Sequence, residues 1–449
     1  MSEVIKIKKG LNIPLLGKAE KVFGQTQLPG LFAIKPADFH GVTPKMVVAE
    51  GDPVKIGTVL FFDKNHPEIK FVSPVSGTLK AVIRGERRKI LEILVENDHK
   101  DEYLEIKAGD PASLSRESII EILLNAGAWP YLRQRPYDII ANPADSPKAV
   151  FISGFDTAPL ALDVEFVLTG QEETFKAGIE VLKKLAPEVN IGVSADSACK
   201  LYSNIQGVKL HKFTGPHPAG NVGVQIHHVS PINKGEKVWV INPQDIVSIG
   251  SIFLHGKHDF SRVVALCGSE VKKPVYYRYR VGAAIGELLK GNLNEGSLRI
   301  ISGNVLTGTN IGAEGYLGYY STQVTVIPEG DNYEFMGWAA PGFGKFSVSR
   351  TFFSWLCKKK QYRLNANLNG GLRAIVVSGA YDKVMPMDIL PEQLIKAILA
   401  NNVDKMEQLG IFEVVEEDIA LCEFVDVSKL ELQKILREGI EVMIKELGN

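Results

Sequence analysis

The hydrophobic pattern of the chain changes character along its length, and this constrains the fold more than any other feature. Residues 1–104 show short apolar runs separated by Gly, Pro and Asp. Residues 105–262 alternate strand-like and helix-like patterns, residues 263–330 return mainly to strands, and residues 331–449 begin irregularly and end helical. A length of 449 residues exceeds one ordinary core, at about 100–200 residues per domain. We therefore predict a multidomain α/β and β protein whose domains are these four segments.

Segment 1–104 is predicted to be a β barrel. Runs such as residues 59–62 and 89–95 are strand-sized and end at turn residues. The glycine-bearing stretch 50–57, followed by 73–78, resembles the barrel-sandwich fold of biotinyl and lipoyl carrier domains. A carrier would present a modified lysine at a hairpin tip, where Lys64 is the candidate. The tip is longer than in carriers, which favours an unmodified barrel.

Segment 105–262 has the strand–helix–strand order of a parallel sheet. Residues 149–153 and 190–194 are predicted to be strands. Thr169 and Glu172 have the spacing of a capping box, which predicts the start of a helix between them. Phe175, Ile179 and Leu182 share one face of that helix. We predict a Rossmann-like domain. The turn after residue 153 lacks the GxGxxG glycines that let a pyrophosphate approach a helix N-terminus, so an empty nucleotide site is favoured over a flavin or NAD site.

The last two segments predict two smaller units. Strands at 263–266 and 275–279, a helix at 281–290 and a strand at 298–301 suggest a β-grasp (SLBB-like) module. In segment 331–449, Pro391 predicts the start of one helix. Ser428 and Glu431 have the spacing of a second capping box, which predicts the start of another. A helical domain closes the chain, with an amphipathic stripe of Leu432, Ile435, Leu436, Ile440, Met443 and Leu447.

Composition excludes several classes of protein. Lys plus Arg is 51 and Asp plus Glu is 52, a net charge of −1, so the whole chain has no attraction for nucleic acid or anionic lipid. The four cysteines (Cys199, Cys267, Cys357 and Cys422) form no CxxC, which argues against an iron–sulfur cluster, a structural zinc site or a disulfide framework. No apolar window reaches the roughly 18 residues of a membrane span, and the N-terminus is not a secretory signal.

Two groups of residues are candidates for binding, and no catalytic or metal site is predicted. His217, His227 and His228 cluster within 214–228, where a structural or interface role is favoured over zinc. Segments 29–36 and 129–136 mix aromatic, proline and basic residues, which suits a quinone or a protein interface. The candidates there are Leu31, Phe32, Lys35, Pro36, Tyr131, Arg133, Arg135 and Pro136. Arg133 or Arg135 could donate a hydrogen bond to a quinone carbonyl.

Four long strings carry a family resemblance: residues 215–223, 225–228, 341–346 and 385–391. With the order of modules, they resemble the A-subunit family of Na+-translocating NADH:quinone reductases, which are bacterial respiratory complexes. The resemblance covers nearly the whole chain.

The resemblance implies a peripheral protein on the cytoplasmic side of the bacterial inner membrane. It implies docking on the membrane-embedded B-subunit within a complex of six subunits, with only indirect membrane contact. Quinone would be a substrate, while NADH, Na+, flavins and iron centres belong to the complex and this chain carries no redox cofactor. The helical end resembles a ferredoxin-type domain without clusters, because residues 420–426 hold only Cys422. Family stretches linked to quinone or inhibitor binding match 29–39 and 130–137.

Two rival hypotheses stay open. One is a self-sufficient flavin- or NAD-dependent oxidoreductase, motivated by the strand–helix–strand pattern. The other is a biotin- or lipoyl-carrier protein, motivated by the N-terminal barrel.

Overall fold

A computed structural model describes residues 4–197, 200–330, 334–357 and 359–448 of the chain. Within these residues, the strands form sheets of seven, six, four and three strands. None of the helices in the described ranges is both long enough and apolar enough for a membrane span. Cys199 lies outside the described residues.

The first hundred residues are almost all strand. The strands are β1 (Val4–Lys6), β2 (Glu20–Phe23), β3 (Leu31–Ile34), β4 (Pro44–Met46), β5 (Pro53–Val54), β6 (Val59–Asp63), β7 (Lys70–Val72), β8 (Gly77–Arg84) and β9 (Ile90–Asn97). Antiparallel sheets β3-β9-β8-β5 and β4-β6-β7 share one core that includes Phe32, Phe61 and Leu79. Gly77 is required at its position, since its φ is +147° and a Cβ there would lie 1.8 Å from the Glu96 carbonyl oxygen. Lys64 is exposed, just after β6.

The next part of the chain builds a large mixed sheet with helices. Its elements are α1 (Arg116–Asn125), β10 (Arg133–Arg135), β11 (Ile139–Ile140), β12 (Val150–Ser153), α2 (Val164–Leu168), α3 (Glu172–Leu185), β13 (Val189–Ser194), α4 (Lys200–Ser203), β14 (Lys209–Thr214), α5 (Val222–Val229), β15 (Val238–Val240) and α6 (Pro243–His255). The strand order of this central sheet is β1-β14-β13-β12-β15-β10-β11. Strands β12 to β15 run parallel, and β10 pairs antiparallel with β15.

Helix α3 confirms the predicted apolar face but not the predicted cap. Phe175, Ile179 and Leu182 are all buried. The N-cap is Gln171 and makes no side-chain cap hydrogen bond. The capping box was wrong because the Thr169 hydroxyl donates to the carbonyl of Glu165, in the first turn of α2, which leaves it unavailable to α3.

A second sheet follows, built from β16 (Ser261–Cys267), β17 (Val275–Arg280), β18 (Leu298–Ser302), β19 (Thr309–Asn310) and β20 (Gln323–Pro328), with α7 (Gly286–Leu289) beside it. The predicted helix 281–290 was too long. Ala284 N–H donates to the Leu31 carbonyl and the Ala283 carbonyl accepts from Leu317 N–H, both at 2.9–3.1 Å. These bonds to distant strands and loops take the backbone groups that a longer helix would need.

The N-terminal strands tie the sheets together. β1 pairs parallel with β14 at the edge of the central sheet. β2 pairs parallel with β17 and completes the second sheet, whose order is β19-β18-β20-β16-β17-β2. The first 23 residues therefore contribute to two sheets whose other strands come from later in the chain.

The described part of 334–390 has neither α-helix nor named strand, and four helices follow: α8 (Pro391–Leu399), α9 (Val403–Gln408), α10 (Glu416–Val425) and α11 (Leu432–Leu447). The predicted start at Pro391 is confirmed. The stripe on α11 is confirmed at Leu432, Leu436, Ile440 and Met443, which are buried, whereas Leu447 is exposed. The second capping box was wrong, because the Ser428 hydroxyl donates to the Ala374 carbonyl and Glu431 stands at the N-cap.

Candidate functional site

The two predicted segments meet at a cluster of aromatic rings. Phe39, from the loop after β3, lies with its ring centroid 4.7 Å from that of Tyr319 and 5.7 Å from that of Tyr320. Tyr131 stacks on Tyr319 at 5.6 Å. We call Phe39, Tyr131, Tyr319 and Tyr320 the aromatic junction. It joins the barrel, the α/β segment and the loop before β20.

In the first segment, the candidate residues differ in accessibility. Phe32 is fully buried and pairs with Val95 of β9. Pro36 is buried at the start of a short 3-10 turn. Leu31 and Lys35 are half-buried, and Lys35 Nζ lies 3.4 Å from the Tyr316 carbonyl oxygen. Of the four candidates in this segment, Leu31 and Lys35 are therefore the ones that a ligand or partner can reach.

Tyr131 is a buried structural residue of the junction. Its hydroxyl lies 3.0 Å from His258 Nε2, and His258 Nδ1 lies 2.9 Å from the Ala126 carbonyl oxygen. A carbonyl only accepts, so Nδ1 carries the proton and Nε2 accepts from the tyrosine. Burial lowers the pKa of His258 to about 4 and raises the pKa of Tyr131.

Arg133 connects the junction to a cavity. Its guanidinium lies 5.0 Å from the centroid of the Tyr320 ring, within cation–π range. One of its N–H groups donates to Asp138 Oδ2 over 3.1 Å. The side chain is 31% exposed and lines the cavity described below. Of the two predicted arginines, Arg133 is thus the one with access to a ligand.

Arg135 instead forms a buried ion pair with the C-terminal helices. Its guanidinium donates to Asp418 Oδ2 over 2.5 Å and to Glu417 Oε1. Both carboxylates lie in the first turn of α10, where the helix dipole favours negative charge. Burial raises the pKa of Glu417 and the pKa of Asp418, and Arg135 opposes that shift. Pro136 is buried beside it.

A cavity of about 160 Å³ lies where β12 and β15 end. Neighbouring parallel strands of an open α/β sheet commonly bind ligands at this edge. The walls include polar side chains from several elements: Arg133, Ser153, Asp156, His217, Asn221, Asn242, Gln244, Asn304, Thr307 and Glu417. Burial raises the pKa of Asp156, whose Oδ1 accepts from Ala158 N–H.

The cavity is a poor fit for a flavin nucleotide. Its volume is below the roughly 300–1,000 Å³ of typical small-molecule sites. Two carboxyl groups, those of Asp156 and Glu417, line it, and Gly154 is followed by Phe155 rather than by a second glycine.

The three histidines do not converge on one point. His217 Nδ1 lies 3.1 Å from Thr157 Oγ1, and burial lowers the pKa of His217 to about 4. His227 and His228 end helix α5. His227 Nε2 accepts from Asp388 N–H, so its Nδ1 donates to Glu413 Oε2. Each of these imidazoles has a protein partner, which favours the structural role.

Among the described residues, ligand-type atoms of His40, Asp138 and Glu416 lie within 4.8 Å of one another. Both carboxylates are already paired, Asp138 with Arg133 and Glu416 with Arg437. A cation would have to compete with two arginines, so this cluster is better described as an ion-pair network.

Several residues of the site were missed from the sequence. Asp138, Glu416, Glu417 and Asp418 supply the charges that hold the arginines. The adjacent pair Tyr319 and Tyr320 supplies the central rings, and such a pair is a visible sequence signal.

Family models match most of the chain. One described as the NqrA N-terminal barrel-sandwich hybrid domain matches residues 5–98, one described as the NqrA second alpha/beta domain matches 114–258, and one described as the NQRA C-terminal domain matches 263–312. These matches confirm the predicted barrel-sandwich and the α/β domain after it.

Full-length relatives agree with these matches. The chain is 40% identical over 439 residues to the A-subunit of the Na(+)-translocating NADH-quinone reductase of Yersinia pestis bv. Antiqua (strain Angola), covering 97% of this chain and 98% of that relative. It is 39% identical over 447 residues to the protein of the same name from Neisseria meningitidis serogroup A / serotype 4A (strain DSM 15465 / Z2491), covering 99% and 100%. Among solved structures, an NAD+-reducing [NiFe]-hydrogenase in the H2-reduced state aligns with 75% of this chain and 62% of its own, at 13% identity and a TM-score of 0.38.

The chain thus belongs to a class of multidomain proteins that combine a barrel-sandwich with an α/β domain. Its family is that of the A-subunits of Na(+)-translocating NADH-quinone reductases, which confirms the resemblance seen in the sequence.

Proposed function

We propose that this chain is the component of a sodium-translocating NADH:quinone reductase that borders the quinone-reducing region and stabilises the assembly. The relatives are named as the A-subunits of such enzymes and match along nearly their whole length. Electrons would pass through flavins and iron centres of other subunits.

The observation that carries the proposal is the meeting of segments 29–39 and 130–137 at the aromatic junction. Phe39, Tyr131 and Tyr319 are buried against one another, so the junction does not itself form a ligand wall but positions Arg133, whose guanidinium lies over Tyr320 and lines the cavity. A hydrogen-bond donor at such a place suits a planar ligand with carbonyl groups. Arg133 supplies the donor. A guanidinium there would stabilise the negative charge that develops on a quinone oxygen during reduction.

The small cavity indicates that the quinone site is shared between subunits. The cavity that Arg133 lines measures about 160 Å³, below a typical ligand site, so this cavity alone does not enclose a quinone head group. Leu31, Lys35 and Arg133 would form one wall, and a neighbouring protein of the complex the other.

The arrangement of the complex follows from the same proposal. We infer docking on the membrane-embedded B-subunit among six subunits, on the cytoplasmic side of the bacterial inner membrane, with contact to the bilayer through partner proteins. Within the chain, the parallel strands β12 to β15 support a Rossmann-like assignment for 105–262. The mixed second sheet supports a β-grasp assignment for 263–330, with 1–104 and 331–449 as the remaining domains.

The test is quinone titration of the purified complex carrying Arg133→Gln. We expect quinone affinity to fall about tenfold, the value of one charge-assisted hydrogen bond at roughly 1.5 kcal/mol. The matched control is Arg88→Gln, which removes an exposed arginine of the barrel. Wild-type affinity in the Arg133 variant would leave this chain with an interface role only.

The flavin alternative and the carrier alternative each have a separate test. A flavin absorption band in the purified chain, in stoichiometric amount, would revive the self-sufficient oxidoreductase. An intact mass equal to that of the sequence would remove the carrier hypothesis at Lys64.

A further inference from the structure

The exposed apolar side chains are concentrated in one part of the chain. Of the 25 large apolar side chains exposed among the described residues, 12 lie within residues 334–377. They include Phe335, which is 92% exposed, and Trp338, which is 75% exposed. We call the described residues 334–357 and 359–377 the C-terminal apolar surface. Isolated exposed apolar residues are ordinary, but a concentration of this kind marks a binding surface.

This surface is held in place rather than loosely attached. Tyr362 N–H donates to the Pro14 carbonyl over 2.8 Å, and Arg363 donates to both carboxylate oxygens of Glu270 at 2.6 and 3.0 Å. Phe353 N–H donates to the Pro341 carbonyl over 2.9 Å. The backbone thus folds on itself and on the body of the protein while large side chains remain exposed.

The size of the surface fits a protein interface. At about 150–250 Å² per aromatic side chain, the exposed parts of Phe335, Trp338, Phe343, Phe353 and Trp355 present roughly 600 Å². A standard interface buries about 800 Å² on each partner. Trp, Phe and Arg are also the residues that dominate interface energies.

The charge of the surface defines the chemistry of its partner. The C-terminal apolar surface holds six Lys or Arg and one Glu, a formal charge of +5, whereas the whole chain has −1. One of these cations, Arg363, is paired with Glu270, so the excess of positive charge comes from the other residues. An acidic partner surface therefore complements this segment.

Unpaired backbone groups favour a protein over a lipid surface. The N–H groups of Ile375, Val376 and Val377 donate to no acceptor among the described residues. The chain is fixed on both sides of them, since Arg373 N–H donates to the Ser428 carbonyl and Ser378 N–H to Glu392 Oε1. Ile and Val favour strands, and a row of free donors is a template for an added strand. A bilayer core offers no acceptors for these groups.

We propose that the C-terminal apolar surface docks another protein of the complex through an acidic, apolar segment that pairs as a strand with residues 374–377. This inference rests on the proposed function, because it takes its partner from the same complex. It adds the position and the recognition mode of one contact, namely strand addition.

Hydrogen–deuterium exchange of the assembled complex and of the free chain tests the pairing. Because successive amides of a strand point to opposite sides, we expect the amides on one side, either Val376 or both Ile375 and Val377, to exchange at least about a hundredfold more slowly in the complex. Equal exchange in both would overturn the docking proposal while leaving the proposed function intact. Failure of the wild-type chain to assemble with any partner would instead remove the proposed function, and this inference with it.

A set of variants isolates the backbone contribution. Val376→Pro removes one N–H that has no acceptor among the described residues, and Val376→Thr keeps both that N–H and a β-branched side chain. Val377→Pro removes the N–H on the other side of the segment. In competition with wild-type chain for incorporation into the complex, one of the two proline variants should incorporate about tenfold less, and Val376→Thr should incorporate equally well. The thermal midpoint of the free Val376→Pro chain should match wild type. Wild-type incorporation of both proline variants contradicts strand addition.

Two further exchange measurements test whether a membrane or a second copy of the chain covers this surface. Protection of the same amides in the free chain by vesicles of anionic phospholipid would show that the membrane covers this surface. Protection at high concentration of the chain alone, with a dimer in solution, would show that a second copy does. Either result overturns the proposal.

Discussion

At the scale of single residues, two buried imidazoles make the stability of the chain depend on pH. His217 and His258 are both almost fully buried, and burial lowers the pKa of each to about 4. In the unfolded chain a histidine titrates near 6.5. Between these values the unfolded chain binds more protons, so protonation favours unfolding. The stabilisation is complete above about pH 6.5 and is lost as the pH falls toward 4.

We therefore expect the free energy of unfolding to fall by up to about 3 kcal/mol per imidazole between pH 6.5 and 4, at about 1.4 kcal/mol per pKa unit. Denaturant unfolding at several pH values measures this change. His258→Gln should be less stable at pH 7, since it disturbs the bonds to Tyr131 and Ala126, yet it should show a shallower pH dependence. If the slope of unfolding free energy against pH is unchanged in this variant, the pH dependence comes from other groups.

At the scale of elements, the packing of α3 against α6 depends on two glycines. A Cβ on Gly250 would lie 1.8 Å from the Thr174 carbonyl oxygen, and one on Gly178 would lie 2.2 Å from that of Ile246. The absence of both side chains lets the two helices approach within backbone contact. Alanine normally stabilises a helix interior relative to glycine, by about 1 kcal/mol. Here the clash with backbone reverses that preference.

We expect Gly250→Ala to lower the free energy of unfolding by about 3 kcal/mol, because the helices must separate to accept the methyl group. Gly286→Ala in α7 is the matched control, since nothing lies within 4 Å of its Cβ position. Chemical denaturation of the two variants gives the comparison. Equal stabilities would mean that α6 can shift at little cost.

At the scale of the whole molecule, ion pairs join parts of the chain that are distant in sequence. Arg135 of β10 binds Glu417 and Asp418 of α10, and Arg437 of α11 binds Glu416. The side chains of Arg135 and Asp418 are 2% and 0% exposed. Arg135 Nε and Asp418 Oδ1 have no hydrogen-bond partner among the described residues. This contact holds the C-terminal helices against the central sheet, and its stability depends on both partners being present.

We expect Arg135→Met to cost about 3–5 kcal/mol, because it leaves a buried carboxylate without its partner. The double variant Arg135→Met/Asp418→Leu should recover part of that loss, since Asp418 Oδ1 and Arg135 Nε disappear with the charges, while Val415 N–H loses its acceptor and Glu417 its partner. Arg88→Met, at an exposed position of the barrel, is the control and should cost less than about 1 kcal/mol. A double variant no more stable than Arg135→Met alone would show that the site cannot repack.

Local periodicity by itself determined much of the fold. The spacing of Phe175, Ile179 and Leu182 predicted the buried face of α3, and Pro391 predicted the start of α8. These features depend on neighbours within a few positions, which the sequence displays directly. Aromatic and basic residues likewise singled out the two segments that meet at the junction.

The tertiary structure alone decided which of those residues are available for function. Arg133 and Arg135 are two positions apart, yet one faces the cavity and the other is held by carboxylates 282 and 283 residues away. Strand β1 joins a sheet whose neighbouring strand starts at Lys209. Such pairings have no fixed spacing, because they depend on how distant segments pack rather than on the propensity of either one. The sequence therefore determined the elements, their apolar faces and the family, and the packing of distant segments determined the site.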